Sequence, residues 1–124
     1  MRTPLIAGNW KMHKTVGEAI SLVEALLAGL GSVPGREVLV CPPFTALQPL
    51  SSLLAGTPIA LGAQDVFYEP QGAYTGAISA LMLSDVGCHY VIVGHSERRQ
   101  HFGDDDFVVN CKLRAALDGG LKPC

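Results

Sequence analysis

The sequence predicts an α/β fold built from repeated strand–helix units around a parallel sheet, on three observations. Short apolar runs alternate along the chain with capped, amphipathic segments. Those runs are continuously apolar, as in strands covered on both faces. Polar residues gather where the runs end: Asn9 and Lys11 after the first, Gln64 after the third, His95 and Glu97 after the fourth. Polar groups at the C-terminal ends of several strands are the pattern of a (β/α)8 barrel. The Gly-rich phosphate loops of nucleotide-binding open sheets, G-x-G-x-x-G and G-x-x-x-x-G-K-[ST], are absent.

The elements follow in order. Leu5–Ala7, ending in Gly8-Asn9, reads as the first strand. Thr15-Val16-Gly17-Glu18 is a capping box, opening a helix whose Ile20, Val23, Leu26, Leu27 and Leu30 repeat at helical spacing before Gly31. Glu37–Val40, stopped by Pro42-Pro43, is the second strand. Thr45-Ala46-Leu47-Gln48 reads as another capping box, for a Leu-rich helix ending at Gly56. Pro58–Leu61 is the third strand. The long polar segment Gln64–Ala77 is a loop, and Ser79 caps a short helix ending at Gly87. Tyr90–Val93 is the fourth strand. Asp104, Asp105 and Asp106 read as caps of a helix on which Val109, Leu113 and Leu117 recur every four residues. Gly119-Gly120 ends it, and Leu121–Cys124 looks like the opening of a fifth strand. The chain is thus expected to form a single domain, 1–124, of about four βα units and the start of a fifth strand, half of a barrel that takes ~250 residues.

Composition narrows the function. The net charge of −2 gives no basic surface for nucleic acid or a membrane. Charged residues are 16 % of the chain, against about 25 % in ordinary soluble domains. That composition buries both faces of a sheet or awaits a covering partner. The Leu-rich stretch Ile20–Leu30 is too short and too interrupted to span a bilayer. Met1-Arg2-Thr3-Pro4 runs into the first strand without a secretory pattern. Cys41, Cys88, Cys111 and Cys124 form no C-x-x-C pair, so buried thiols in a reducing compartment, the cytoplasm, are expected.

Four motifs carry a resemblance. Ala7-Gly8-Asn9-Trp10-Lys11-Met12, Gly62-Ala63-Gln64-Asp65, Gly72-Ala73-Tyr74-Thr75-Gly76 and Tyr90-Val91-Ile92-Val93-Gly94-His95-Ser96-Glu97-Arg98-Arg99 are similar, in order and separation, to segments of the triosephosphate isomerase family. The resemblance runs from Leu5 to Cys124. It implies a TIM barrel, a homodimer, and interconversion of dihydroxyacetone phosphate and glyceraldehyde 3-phosphate through an enediolate, without metal or organic cofactor. The substrate is then a small phosphorylated triose.

Residue by residue, Lys11 matches the family lysine facing the substrate phosphate; by itself it is a surface lysine beside Lys14. Asn9 resembles its helper, or else a polar strand end. His95, entering a helical turn where the helix N-terminus disfavours imidazolium, is expected to act as a neutral donor. His13, His89 and His101 match no catalytic position. Glu97 resembles a carboxylate that orients Lys11 or relays protons, and it suits a helix N-terminus in either case. Ser96 resembles a residue holding the resting base, or is simply an N-cap. Gln64 and Thr75 resemble interface positions: in the family the third loop enters a neighbouring subunit, where its Thr pins that subunit's Asn9 and Lys11. Tyr74 sits in the same loop, and Met12, Phe44 and Thr45 lie where the loop docks. Arg98 completes the interface set.

Two departures qualify the resemblance. Ala77 stands where the family usually has a Glu that pairs with the Arg98 position across the interface, so Arg98 is expected to lack one partner and the dimer to be weaker. The catalytic Glu, its lid and the phosphate-gripping turns are expected beyond Cys124, and the isolated chain is expected to be inactive. The alternative reading is a non-catalytic half barrel that self-associates through open strand edges.

Overall fold

A computed structural model describes residues 2–124; Met1, part of the stretch read for a leader, lies outside them. Its elements are β1 (Leu5–Asn9), α1 (Val16–Leu30), β2 (Glu37–Cys41), a 3-10 turn (Phe44–Ala46), α2 (Leu47–Leu54), β3 (Ile59–Ala63), α3 (Ala80–Asp85), β4 (Tyr90–Val91), α4 (Ser96–His101), α5 (Asp106–Asp118) and β5 (Lys122–Pro123). All neighbouring strands are parallel, in the spatial order β1-β2-β3-β4-β5. Each strand therefore lies beside its predecessor. A doubly wound sheet would reverse direction part-way; this one winds one way only, as a TIM barrel does.

β2, β3 and β4 are largely buried on both faces because the two faces meet different neighbours, whereas β1, at the sheet edge, is largely exposed. Val40, Ile59, Leu61, Ala63 and Val91 pack with Ala19 and Val23 of α1 and Leu47, Leu50 and Leu54 of α2. On the opposite face Leu39, Cys41 and Tyr90 form a second cluster with Leu5, Ala60 and Ile92. Gly62 permits that inner packing: a Cβ there would lie 2.8 Å from the Cys41 sulfur and 3.0 Å from Leu39. At the start of β2 the Tyr90 hydroxyl donates to Glu37.

The expected elements are present, with shifts. β1 runs on to Asn9 and β3 to Ala63, because backbone pairing outlasts the apolar run. The regular part of β4 stops at Val91, yet Ile92 still donates to Ala63 and Val93 to Cys124. The Thr15–Glu18 capping box forms, with the Glu18 amide donating to Thr15 Oγ1 and the Thr15 amide to Glu18 Oε1.

The second capping box does not form. Thr45 is in the 3-10 turn and Ala46 is the N-cap of α2, without a side-chain bond. A capping side chain needs an extended backbone at its own residue, which a helical turn denies. Pro49 then falls in the first turn of α2, where a missing N–H costs nothing.

The Asp triplet also divides. Asp105 is the N-cap, accepting from the Val108 amide, whereas Asp104 is buried and ion-paired. The every-fourth-residue stripe of α5 does not face the core: Leu113 and Leu117 are exposed, and Lys112 and Ala116 are buried in their place. Among the described residues no helix is long and apolar enough to cross a membrane.

Candidate functional site

The turn after β1 is held by its own polar groups. Trp10 continues the ladder by donating to Cys41 O. Lys11 then adopts φ +56°, the left-handed region that costs a non-glycine residue of order 1 kcal/mol or more. Three hydrogen bonds fix it there. The Lys11 amide donates to Asn9 Oδ1 at 3.0 Å, and Gln64 Nε2 donates to Lys11 O and to Cys41 O, each at 2.9 Å. Gln64, expected at an interface, thus braces the lysine turn of its own chain. From this backbone the Lys11 ammonium reaches Glu97 Oε1 at 2.6 Å, across 86 residues of sequence.

The turn after β4 presents His95. Gly94 precedes it at φ +73°, where a Cβ would lie 2.9 Å from Val109, so both conformation and space require glycine. His95, not Ser96, is the N-cap of α4: its Nδ1 accepts from the Glu97 amide at 3.1 Å. Ser96 is the first residue inside the helix and is exposed. An Nδ1 that accepts leaves Nε2 to carry the ring proton, so the imidazole is a donor through Nε2. Glu97 Oε2 lies 3.7 Å from the same Nδ1, but the amide bond is the shorter contact and sets the tautomer. The hydrogen bond from Lys11 holds the Glu97 carboxyl below its ordinary range; desolvation opposes this, and the charges of Lys11, His95 and His101 add to it. Glu97 therefore stays ionised.

Arg98, one residue on, meets a network that the sequence did not reveal. Its guanidinium lies 3.3 Å from Asp65 and 3.2 Å from Asp104, and stacks 4.4 Å from the Phe102 ring. Lys112 of α5, only 3 % exposed, binds the same two carboxylates at 2.8 Å each. Arg98 is thus supplied with two carboxylates from its own chain. The signal for Lys112 was faint. It shares a helix face with Val108, Ala115 and Ala116, small residues that the longer Leu stripe outweighs.

These groups converge on a pocket of about 220 Å³ whose lining includes Asn9, Lys11, Gln64, His95 and Glu97 together with Met12, Phe44 and Arg98. A larger cavity, about 500 Å³, lies at the opposite ends of the strands, beside Glu37, His89 and Lys122. The smaller one holds the convergent ammonium, imidazole and amide. Among the described residues, no group of three or more His, Cys, Asp and Glu side chains is gathered as metal donors. Of the expected interface residues, Met12 is 93 % exposed and Phe44, Thr45, Tyr74 and Thr75 are exposed. Tyr74 packs on Phe67 at 4.7 Å between ring centres, which orders the loop base without covering its tip.

The family model of triosephosphate isomerase matches residues 4–124. The chain belongs to the triosephosphate isomerase family. It is 68 % identical to the triosephosphate isomerase of Roseiflexus castenholzii over 123 residues, which are 99 % of this chain and 48 % of that protein. It is 63 % identical to the triosephosphate isomerase of Chloroflexus aurantiacus, over 99 % of this chain and 49 % of that one. The crystal structure of triosephosphate isomerase from Bartonella henselae superposes with a TM-score of 0.91 at 42 % identity, covering 98 % of this chain and 50 % of that chain. The chain spans about half the length of these triosephosphate isomerases.

Proposed function

We propose that residues 1–124 form one domain-sized half of a triosephosphate isomerase barrel, acting on dihydroxyacetone phosphate and D-glyceraldehyde 3-phosphate by proton transfer through an enediolate. One observation supports this most: Lys11 and His95, from strands far apart in sequence, line one pocket and are joined through Glu97. Lys11 and Asn9 bind the substrate, and the fixed ammonium offsets charge growing on its oxygens. His95 donates through Nε2 to the same oxygens and moves protons between them. Glu97 holds Lys11 in place and remains ionised.

The carbon base comes from outside these residues. Glu97 is bound to Lys11, and Asp65 and Asp104 are bound to Arg98 and Lys112. The working unit is a homodimer through the third loop, in which Thr75 and Tyr74 enter the neighbour beside Met12, Phe44 and Thr45. Exposure of all five is consistent with that docking.

The test is turnover of the chain alone and after mixing with the C-terminal half of the Roseiflexus castenholzii relative. Activity is expected only in the mixture, and His95→Gln is expected to lower it by about 10²–10³-fold, the usual loss for one transition-state donor. A His95→Gln mixture as active as the parent overturns the role of His95. Turnover by the chain alone overturns the external base. The other reading, a self-associating half barrel without catalysis, is favoured by Ile6, Phe107 and Leu117 at 57 %, 72 % and 58 % exposure. It predicts stable oligomers that no added half converts into an enzyme.

A further inference from the structure

We infer that Lys112, which touches neither His95 nor Glu97, is a positioning residue: it clamps Asp65 and Asp104 so that they hold Arg98 and thereby aim the His95–Glu97 end of α4. The inference rests on His95 and Glu97 being the working groups proposed above.

Little else holds α4. This six-residue helix has no buried residue, so apolar packing does not fix its direction. Its ties are polar. Arg98 binds Asp65, at the end of the third strand's turn, and Asp104, ahead of α5. The Asp104 amide returns a 3.3 Å bond to Arg98 O. Arg99 binds Asp106 at 2.8 Å, but Asp106 is 97 % exposed and such a contact is weakly held. The one shielded tie is therefore that of Arg98.

That tie depends on Lys112. Asp65 and Asp104 both face the Arg98 guanidinium, and their charges repel each other. Lys112 places one ammonium 2.8 Å from each and makes a neutral quartet of two cations and two anions. Without it, the two carboxylates share one guanidinium and repel each other, and one must swing away. Arg98 then loses part of its anchor. His95 and Glu97 are one helical turn or less from Arg98, so any reorientation loosens both the Lys11–Glu97 contact and the His95 Nδ1 bond.

The test follows the Glu97 carboxyl and the His95 ring nitrogens by NMR through a pH titration of the folded chain, with Glu18 as an internal reference. Glu18 belongs to the distant Thr15 capping box, which also holds its carboxyl low. The groups acting on Glu97 are Lys11, His95 and His101, and none is altered. Two variants separate aim from field. Lys112→Met removes a cation, and its direct field effect raises the Glu97 midpoint. Asp65→Asn removes an anion, and its direct field effect lowers it. If Lys112 and its carboxylates aim α4, both variants raise the midpoint toward the ordinary value of about 4.3, weaken the acceptor signature of His95 Nδ1, and leave Glu18 where it was. Lys112→Arg restores the parent values in part. Opposite shifts in the two variants, or no change at Glu97 and His95, overturn the inference. Should Lys112→Met not fold, Asp65→Asn decides alone: a lowered or unmoved Glu97 midpoint overturns the inference. Neither readout requires turnover, so loss of the isomerase reading leaves this result standing and its own failure remains recognisable.

Discussion

The two flanks of the sheet are held by opposite means. On one side, α1 and α2 bury Ala19, Val23, Leu47, Leu50 and Leu54 against β2 and β3. On the other, α4 buries nothing and α5 buries Lys112 and Ala116, while Phe102, Phe107 and Leu117 stay exposed. The first flank is stabilised by apolar area, which tolerates small changes of shape. The second is held by charges whose contribution depends on distance and on complete pairing. In the second, Arg98 ties α4 to Asp65 and Asp104, and Lys112 binds the same two carboxylates.

Placing the same side chain in both flanks separates the two kinds of support. Lys112→Met leaves Asp65 and Asp104 to share Arg98 alone and is expected to cost about 3–5 kcal/mol in urea unfolding. Leu50→Met keeps volume and polarity and is expected to cost under about 1.5 kcal/mol. Equal costs would mean that the quartet does not stabilise its flank.

Alkali tests the buried thiols. Burial pushes the Cys41 and Cys88 thiols up to about 12, and Cys124 moves in the same direction. The unfolded chain loses these protons from about pH 8.5 and the folded chain does not, so stability falls as pH rises above that value. Each of the two thiols contributes roughly 1.4 kcal/mol of loss by pH 9.5. Unfolding midpoints measured between pH 7.5 and 9.5 check this, and a double Cys41→Ala, Cys88→Ala variant is expected to flatten most of the slope. At pH 8 both thiols are expected to resist alkylation until the chain is denatured.

Smaller effects separate true caps from apparent ones. Thr15→Ala is expected to cost about 1 kcal/mol, because it removes a formed capping box. Thr45→Ala and Leu117→Ala are expected to stay within about 0.5 kcal/mol, since Thr45 caps nothing and Leu117 is 58 % exposed. A Leu117→Ala cost of several kcal/mol would show that a partner covers that face in solution.

Acid bears on the site itself. The depressed Glu97 carboxyl keeps the Lys11–Glu97 pair ionised at pH values where an ordinary glutamate is already protonated, and the pair is lost as pH falls through that lower value. A Lys11→Met variant is expected to return the Glu97 midpoint to the ordinary range, measured by NMR.

The order and type of nearly every element can be read along the chain, because apolar runs, caps and glycines act over a few residues and are written locally. Lys11, His95 and Glu97 could be noticed as polar groups following strands, but the roles expected of them came from the resemblance of the motifs around them. Long-range packing set what local pattern cannot carry. Thr45 has the spelling of a cap, but the 3-10 turn takes its backbone away. Leu113 and Leu117 have the spacing of a core stripe, but the sheet packs against the neighbouring face of α5, where Lys112 lies. Asp104 sits in a run of caps, yet its partners, Arg98 and Lys112, are brought to it by the fold. Burying a charge depends on which opposite charges surround it in space, and 47 residues separate Lys112 from Asp65 along the chain.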